Sequence, residues 1–136
     1  MTQAVLGNGQ SIPPEKIPPT IGMNLAKIQY LGSQVIIWDL GGQIKMRDMW
    51  EKYYDEENAI IFLVDSADTY RLEEARLAYE SICDSVNDIP ISIFANKQDL
   101  QASLSPGDLA NIFYAEDAEA NMFDRFRVYP VSALTG

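Results

Sequence analysis

Three short runs hold residues whose types and order suit phosphate and purine chemistry. The first is Trp38-Asp39-Leu40-Gly41-Gly42-Gln43. The apolar run Val35-Ile36-Ile37-Trp38 leads into it, so a buried strand is expected to end on a carboxylate. Asp39 in that place can hold Mg²⁺ through water, because magnesium keeps several of its own waters. Gly41 and Gly42 put no Cβ between the backbone and a phosphate. Gln43 can orient an attacking water, since its amide both donates and accepts. A strand followed by an ordinary glycine turn is the plain alternative for Asp-x-x-Gly alone. The six-residue run is far more specific.

The second is Pro18-Pro19-Thr20-Ile21-Gly22. A hydroxyl in a mobile loop can reach Mg²⁺ when a γ-phosphate is present and let go when it is lost. A β-branched residue entering a strand is the plainer reading of Thr20 taken alone. The third run, Asn96-Lys97-Gln98-Asp99, is the sharpest. A carboxylate at Asp99 can accept two parallel hydrogen bonds from the N1–H and exocyclic amine of guanine. Adenine offers no such pair, so Asp99 can discriminate. Asn96 can hold the carbonyl side of the base and tie neighbouring loops. The Lys97 stem can lie over the ring face with its charge at the rim. A polar turn after a strand is the alternative. At Ser132-Ala133 a backbone N–H can meet the base O6, a signal with little weight by itself.

These residues need elements to carry them. Prolines at 13, 14, 18 and 19 rule out a helix in residues 1–19, so an extended loop is expected there. LAKIQYL (25–31) and QVIIWDL (34–40) read as strands, with Gly32-Ser33 as a tight hairpin turn. Residues 44–57 suit a short, partly irregular helix. AIIFLVD (59–65) is a continuous apolar run, which predicts a strand buried on both faces of a parallel sheet. Residues 69–86 carry Leu72, Ala75, Tyr79, Ile82, Cys83 and Val86 at helical spacing. ISIFANKQD (91–99) and RVYPVSA (127–133) are further strands. Ser105, Pro106 and Asp108 open a helix over 105–114. This alternation predicts an α/β fold: a doubly wound, mostly parallel sheet with helices on both faces. Ligands in such sheets bind at the carboxyl ends of the strands. Asp39, Asn96–Asp99 and Ser132 all fall at strand ends and are expected to converge on one edge.

Bulk properties narrow the function. The 136 residues suit one domain, 1–136, and 47% hydrophobic content supports a core. A net charge of −10 argues against a nucleic-acid surface and against simple adhesion to anionic lipid. The single cysteine, Cys83, allows no internal disulfide and suits a reducing compartment. No apolar stretch approaches the length of a membrane span. The opening residues, MTQAVLGNGQ, do not read as a secretory signal, and Thr2 does not suit N-myristoylation.

Taken in order, the runs resemble a small GTPase of the Arf family. The resemblance rests on PTIGMN (19–24), WDLGGQ (38–43), WEKYY (50–54), VDSAD (64–68), ANKQDL (95–100) and VSALTG (131–136), and covers roughly residues 11–136. Tryptophan before Asp39 marks Arf-like against Ras-like proteins. PPEKIPPTIGMNLAKI is most similar to the Arf-related protein subfamily, which acts at the trans-Golgi. The resemblance implies GTP and GDP as ligands, with Mg²⁺. Thr20 and Asp39 would be metal contacts, Gly42 would bond the γ-phosphate, and Gln43 would position water for GTP hydrolysis. Asn96, Lys97 and Asp99 would read guanine, with Ser132 and Ala133 in support. Hairpin 25–40 would be the interswitch, which shifts register between nucleotide states. Met23, Trp38 and Tyr53 would form an apolar effector patch, core packing being the alternative for each; Trp50 is assigned to the core. Exchange factor, activating protein and effectors are the implied partners, with Golgi membrane proteins among them. The implied role is a molecular switch in vesicle-mediated and intracellular protein transport, cytoplasmic and peripheral at Golgi membranes. Arg47 and Arg71 read as surface charges, so no arginine finger is expected from this chain. Intrinsic turnover would be slow, with an activating protein adding ~10³–10⁵-fold.

The resemblance also has gaps. No GxxxxGK[ST] phosphate loop precedes Thr20. The nearest imitation, Ala4 to Ser11, has Gln10 where lysine belongs, and Pro13-Pro14 follow at once. The family's first strand is largely missing, with Gln3 to Leu6 as a partial substitute, and so is its closing C-terminal helix. Residues 1–19 are therefore read as loop-like, and 20–136 as the switch and guanine-binding half of a truncated domain, incomplete at both ends. Two functions follow. One is a GTP-binding switch, weak or inactive in nucleotide binding as this truncated form. The other is a non-catalytic interaction module that keeps the switch and effector surface.

Overall fold

The computed structural model describes residues 16–114 and 126–136. The partial strand expected at Gln3 to Leu6 and the imitation phosphate loop lie outside those residues. The described chain forms two compact units that divide between Asp55 and Glu56. Each has its own sheet.

The unit ending at Asp55 is built on an antiparallel hairpin of β1 (Met23–Tyr30) and β2 (Ser33–Leu40). Its ladder runs from Met23 opposite Leu40 to Tyr30 opposite Ser33. The turn is Leu31-Gly32, one residue earlier than the expected Gly32-Ser33. Both turn residues have positive φ, 49° at Leu31 and 82° at Gly32. Such a two-residue loop matches the right-handed twist of the strands. Leucine adopts that conformation at some expense, with its side chain 89% exposed. The burial expected along Val35–Ile37 is not found; all three are exposed. Two strands alone make no second layer to bury them. After β2 come a single helical turn, α1 (Ile44–Arg47), and a 3₁₀ segment, Trp50–Glu56. Together they are the irregular helix expected over 44–57.

The unit from Glu56 onward alternates strand and helix: β3 (Ile60–Asp65), α2 (Leu72–Ser85), β4 (Ile91–Asn96), α3 (Pro106–Phe113) and β5 (Phe126–Pro130). Its sheet is wholly parallel in the order β3-β4-β5. Helix α3 starts with a complete capping box, Ser105 and Asp108 each bonding the other's backbone, and with proline at the first turn. Tyr79 of α2 and Phe113 of α3 both reach Phe62 of β3, with ring centroids 5.6 and 6.2 Å away. Both helices therefore pack on the Phe62 side of the sheet. There the core gathers Val64, Leu72, Ala78, Tyr79, Ile82, Ile93, Leu109 and Phe113. Ala78 joins the expected α2 stripe, whereas Ala75 and Cys83 are only half-buried.

The expectation that residues 59–65 are buried on both faces is corrected. Ile61 and Leu63 are 61% and 62% exposed. They point away from α2 and α3, the two helices described within this unit. Central β4 is the better protected strand, with Ile91, Ile93 and Ala95 fully buried. Asp65 and Asn96 pair at the ends of β3 and β4. β5 ends beside them, which brings three loops to one edge.

The two faces should differ sharply in stability. Ile93→Ala is expected to cost about 2–5 kcal/mol. Ile61→Ala is expected to stay within about 0.5 kcal/mol. Urea unfolding of the two variants beside the parent checks this; equal losses would contradict the one-sided core.

Candidate functional site

At the carboxyl edge of the parallel sheet, the loops after β4 and β5 are tied by side chains. Asn96 Oδ1 accepts the Ala133 backbone N–H at 2.9 Å. The Ser132 hydroxyl donates to Asp99 Oδ1 at 2.6 Å and accepts the Thr135 N–H at 3.1 Å. The Gln98 N–H donates to Val131 O at 3.2 Å. A third loop, after β3, joins through buried Ser66. Its N–H donates to Asn96 O at 3.1 Å and its carbonyl accepts the Leu104 N–H at 2.9 Å. Asn96, Asp99, Ser132 and Ala133 thus form one cluster, with Lys97 at its rim.

Lys97 takes the left-handed conformation, φ 67°, and its carbonyl accepts from the Leu100 N–H at 3.0 Å and from the Ser103 hydroxyl. Its ammonium pairs with Asp65 Oδ2 at 2.6 Å. The other Asp65 oxygen accepts the Ala67 N–H at 3.0 Å. Partial burial pushes the Asp65 carboxyl up. The Lys97 hydrogen bond, the Ala67 and Asp68 N–H groups and the Lys97 charge outweigh it, holding the carboxyl below its ordinary 3.8. Lys97 is raised above its ordinary 10.5, first by the Asp65 hydrogen bond and then by the Asp65 charge.

The hairpin unit holds a second cluster. Asp39 Oδ2 accepts from the Thr20 hydroxyl and from the Asn24 amide, both at 3.1 Å. Gly41 lies against the start of the hairpin: its N–H donates to Gly22 O at 2.9 Å. A Cβ at Gly41 would lie 2.6 Å from the Thr20 carbonyl, so only glycine fits. A Cβ at Gly42 would meet nothing within 4 Å. Two side chains hold this loop from behind. Trp50 Nε1 donates to Gly41 O at 3.1 Å, and Arg47 Nε donates to Gly42 O at 3.2 Å. The Arg47 guanidinium also lies over the Trp50 ring, 5.8 Å from its centre. Arg47 is therefore not a plain surface charge, as expected, but a clamp on the glycine loop. Arg71 is one: it pairs with Glu74 at 3.0 Å in the open. Gln43 precedes α1 without capping it by its side chain, and is exposed. Trp38 and Tyr53 stack with ring centroids 5.3 Å apart, both half-buried, as is Met23.

Four contributors escaped the sequence reading: Asn24, Arg47, Trp50 as a loop prop, and Asp65. Asn24 was hidden by the turn. With Gly32-Ser33 as the loop, Asp39 would face Ala26; with Leu31-Gly32 it faces Asn24. Asp65 carried a signal, an acid closing an apolar strand, the same pattern that singled out Asp39.

A parallel sheet bearing a side-chain-tied loop cluster at its carboxyl edge, with an antiparallel hairpin leading into a double-glycine loop, defines the small-GTPase fold. The structure of the Arl6 BBS3 small GTPase from Trypanosoma brucei with bound nucleotide analogue GppNp is similar, with a TM-score of 0.76 at 28% identity. That match covers 91% of this chain and 76% of the other. The chain belongs to the ADP-ribosylation factor family, whose pattern matches residues 5–136. ADP-ribosylation factor-like protein 3 of Saccharomyces cerevisiae is 40% identical over 125 residues, spanning 90% of this chain and 63% of that protein. ADP-ribosylation factor-related protein 1 of Rattus norvegicus is 37% identical over 100 residues, spanning 72% of this chain and 50% of that protein. The second relative bears out the expected likeness to the Arf-related subfamily. The chain thus spans between half and two-thirds of the length of these curated relatives.

Two outcomes test the geometry. Gly41→Ala should lose about 1–3 kcal/mol and shift the Thr20 amide resonance, while Gly42→Ala should leave Thr20 in place. Asp65 should titrate below 3.8 by carboxyl-carbon NMR, and Lys97→Met should move that inflection up. The sign follows from the pair. Its contribution, about 0–1 kcal/mol for an exposed pair, is present above the ordinary Asp value and fades as pH falls through the lowered one. On the alkaline side it is full below 10.5 and fades as pH rises through the raised Lys97 value. An Asp65 inflection indifferent to Lys97 would contradict this account.

Proposed function

We propose that the chain carries the guanine-reading and switch residues of an Arf-type GTP-binding molecular switch. The observation that supports this most is the cluster Asn96–Ala133 and Asp99–Ser132. It fixes an acceptor carboxylate, and the loop that carries Ala133, at the carboxyl edge of a parallel sheet. In this reading the Asp99 carboxylate accepts both edge donors of guanine, which adenine cannot supply. The Lys97 stem covers a ring face, and the Ala133 region faces O6.

The Thr20 hydroxyl and Asp39 carboxylate, 3.1 Å apart, are hard oxygen donors of the kind magnesium takes. Among the described residues no group of three or more His, Cys, Asp or Glu could hold a metal. Thr20 and Asp39 would therefore hold Mg²⁺ only together with water and phosphate oxygens. When bound, the ion supplies charge neutralisation for the phosphates. Gly42 offers open backbone toward a phosphate, and exposed Gln43 is available to orient water. The 136 residues contain no GxxxxGK[ST] run, so we infer weak or absent nucleotide binding by this chain alone. Likeness to the Arf-related subfamily supports a place in vesicle traffic at Golgi membranes.

A second reading is a non-catalytic interaction module. The tilted Trp38–Tyr53 ring pair favours it, because two half-buried aromatic faces beside each other offer a partner apolar area. Met23, Trp38 and Tyr53 would then meet effectors directly.

A titration of the 136-residue chain with a fluorescent GTP analogue and Mg²⁺ tests this. Binding in the range of tens of micromolar or weaker is expected (about −6 kcal/mol or less favourable). Sub-micromolar affinity would overturn the inferred weakness. Millimolar GMP should perturb the Asn96 and Ala133 amides while AMP leaves them alone. Asp99→Asn should weaken the GMP response about tenfold or more, because one acceptor becomes a donor. Equal responses to GMP and AMP would sink the guanine reading.

A further inference from the structure

We propose that Asp65 is a positioning residue for base recognition: by holding the Lys97 ammonium, it keeps Lys97 off Asp99. The proposal rests on the guanine-binding reading above.

Asp65 ends β3 directly opposite Asn96 of β4, in register. Its carboxylate is oriented before Lys97 meets it. Oδ1 accepts the Ala67 N–H at 3.0 Å, which presents Oδ2 to the ammonium at 2.6 Å. The lysine is fixed at the other end by its backbone. Left-handed φ and a carbonyl occupied by Leu100 and Ser103 set where the side chain leaves the loop. Lysine has among the most rotamer freedom to lose, and Lys97 is half exposed. Anchoring both ends orders the stem before a ligand arrives, which lowers the entropy lost on binding.

Among the described residues, the charges of Asp65, Asp68 and Asp99 all act on this ammonium. Of these three, Asp65 is the one hydrogen-bonded to it. Asp99 instead accepts from the Ser132 hydroxyl. Were Asp65 uncharged, Lys97 would turn to the two that remain. An ammonium on Asp99 would occupy oxygens that the guanine edge needs. Asp65 thus acts on the base through Lys97, and never touches it.

The test is an NMR titration of the whole 136-residue chain with GMP, comparing the parent, Asp65→Asn, Asp65→Glu, Lys97→Met and the double variant Asp65→Asn/Lys97→Met. Asp65→Asn should weaken GMP binding about two- to fivefold, the scale of one exposed ion pair. Asp65→Glu should restore binding to within about twofold, because the charge returns. Lys97 side-chain resonances should shift in Asp65→Asn before any ligand is added. In the Lys97→Met background, Asp65→Asn should have no further effect on GMP. The proposal is overturned if Asp65→Asn binds GMP like the parent with unchanged Lys97 resonances. It is overturned too if its effect persists without Lys97. Should Asp65→Asn lose its dispersed spectrum, the Asp65→Glu and Lys97→Met chains still decide. Binding by Glu at the parent level, with Lys97 resonances in place, supports it; a Glu chain as weak as Lys97→Met overturns it. A parent that ignores millimolar GMP, with the Asp65–Lys97 titration intact, instead removes the guanine reading beneath.

Discussion

The carboxyl edge of the parallel sheet depends on one side-chain oxygen. Asn96 Oδ1 accepts a backbone N–H from the loop after β5, although Asn96 itself ends β4. That bond spans 37 positions of sequence. It sets how close the two loops lie, and Asp99 can meet Ser132 only once they are close. The parallel ladder brings the strand ends level; the amide fixes what happens just past them. Such long-range polar ties form late relative to local helices and depend on the core beneath. Here the core is Ile93, Ala95 and Leu109, all fully buried directly under the edge.

Much of this was legible in the residue order, for a physical reason. Periodicities of 2 and 3.6 survive any tertiary context that buries one face. So α2 was visible from Leu72, Tyr79 and Ile82, and α3 from its proline and capping pair. Polar residues clustered just past apolar runs announced Asn96, Asp99 and Asp39 in the same way. Burial was harder to read. An all-apolar run such as Ile60–Val64 says that both faces prefer cover, not that both receive it. Ile61 and Leu63 stay open because α2 and α3 both sit on the side of Phe62.

The turn was the least legible feature. A leucine with positive φ has no sequence signature, so Gly32 pairs by residue type with Ser33 and in the structure with Leu31. That single offset concealed Asn24 opposite Asp39. Arg47 and Trp50 were hidden differently. Their hydrogen bonds go to backbone carbonyls of Gly41 and Gly42, and carbonyls leave no mark on residue type. Gly41 suits a phosphate by its residue type, yet the nearest reason for it is the Thr20 carbonyl.

The Leu31 conformation has a mechanical consequence. Where one hairpin face is buried, sliding by a residue exchanges inside for outside and is strongly opposed. β1 and β2 have no such brake, since Leu25, Ile28, Ile36 and Ile37 are exposed along both strands. Their alignment is held by the turn and by the bonds on Asp39, against the roughly 1–2 kcal/mol that a left-handed leucine stores. The alignment of this hairpin is therefore a local matter, set at its two ends by the turn and the carboxylate and not by a layer beneath it.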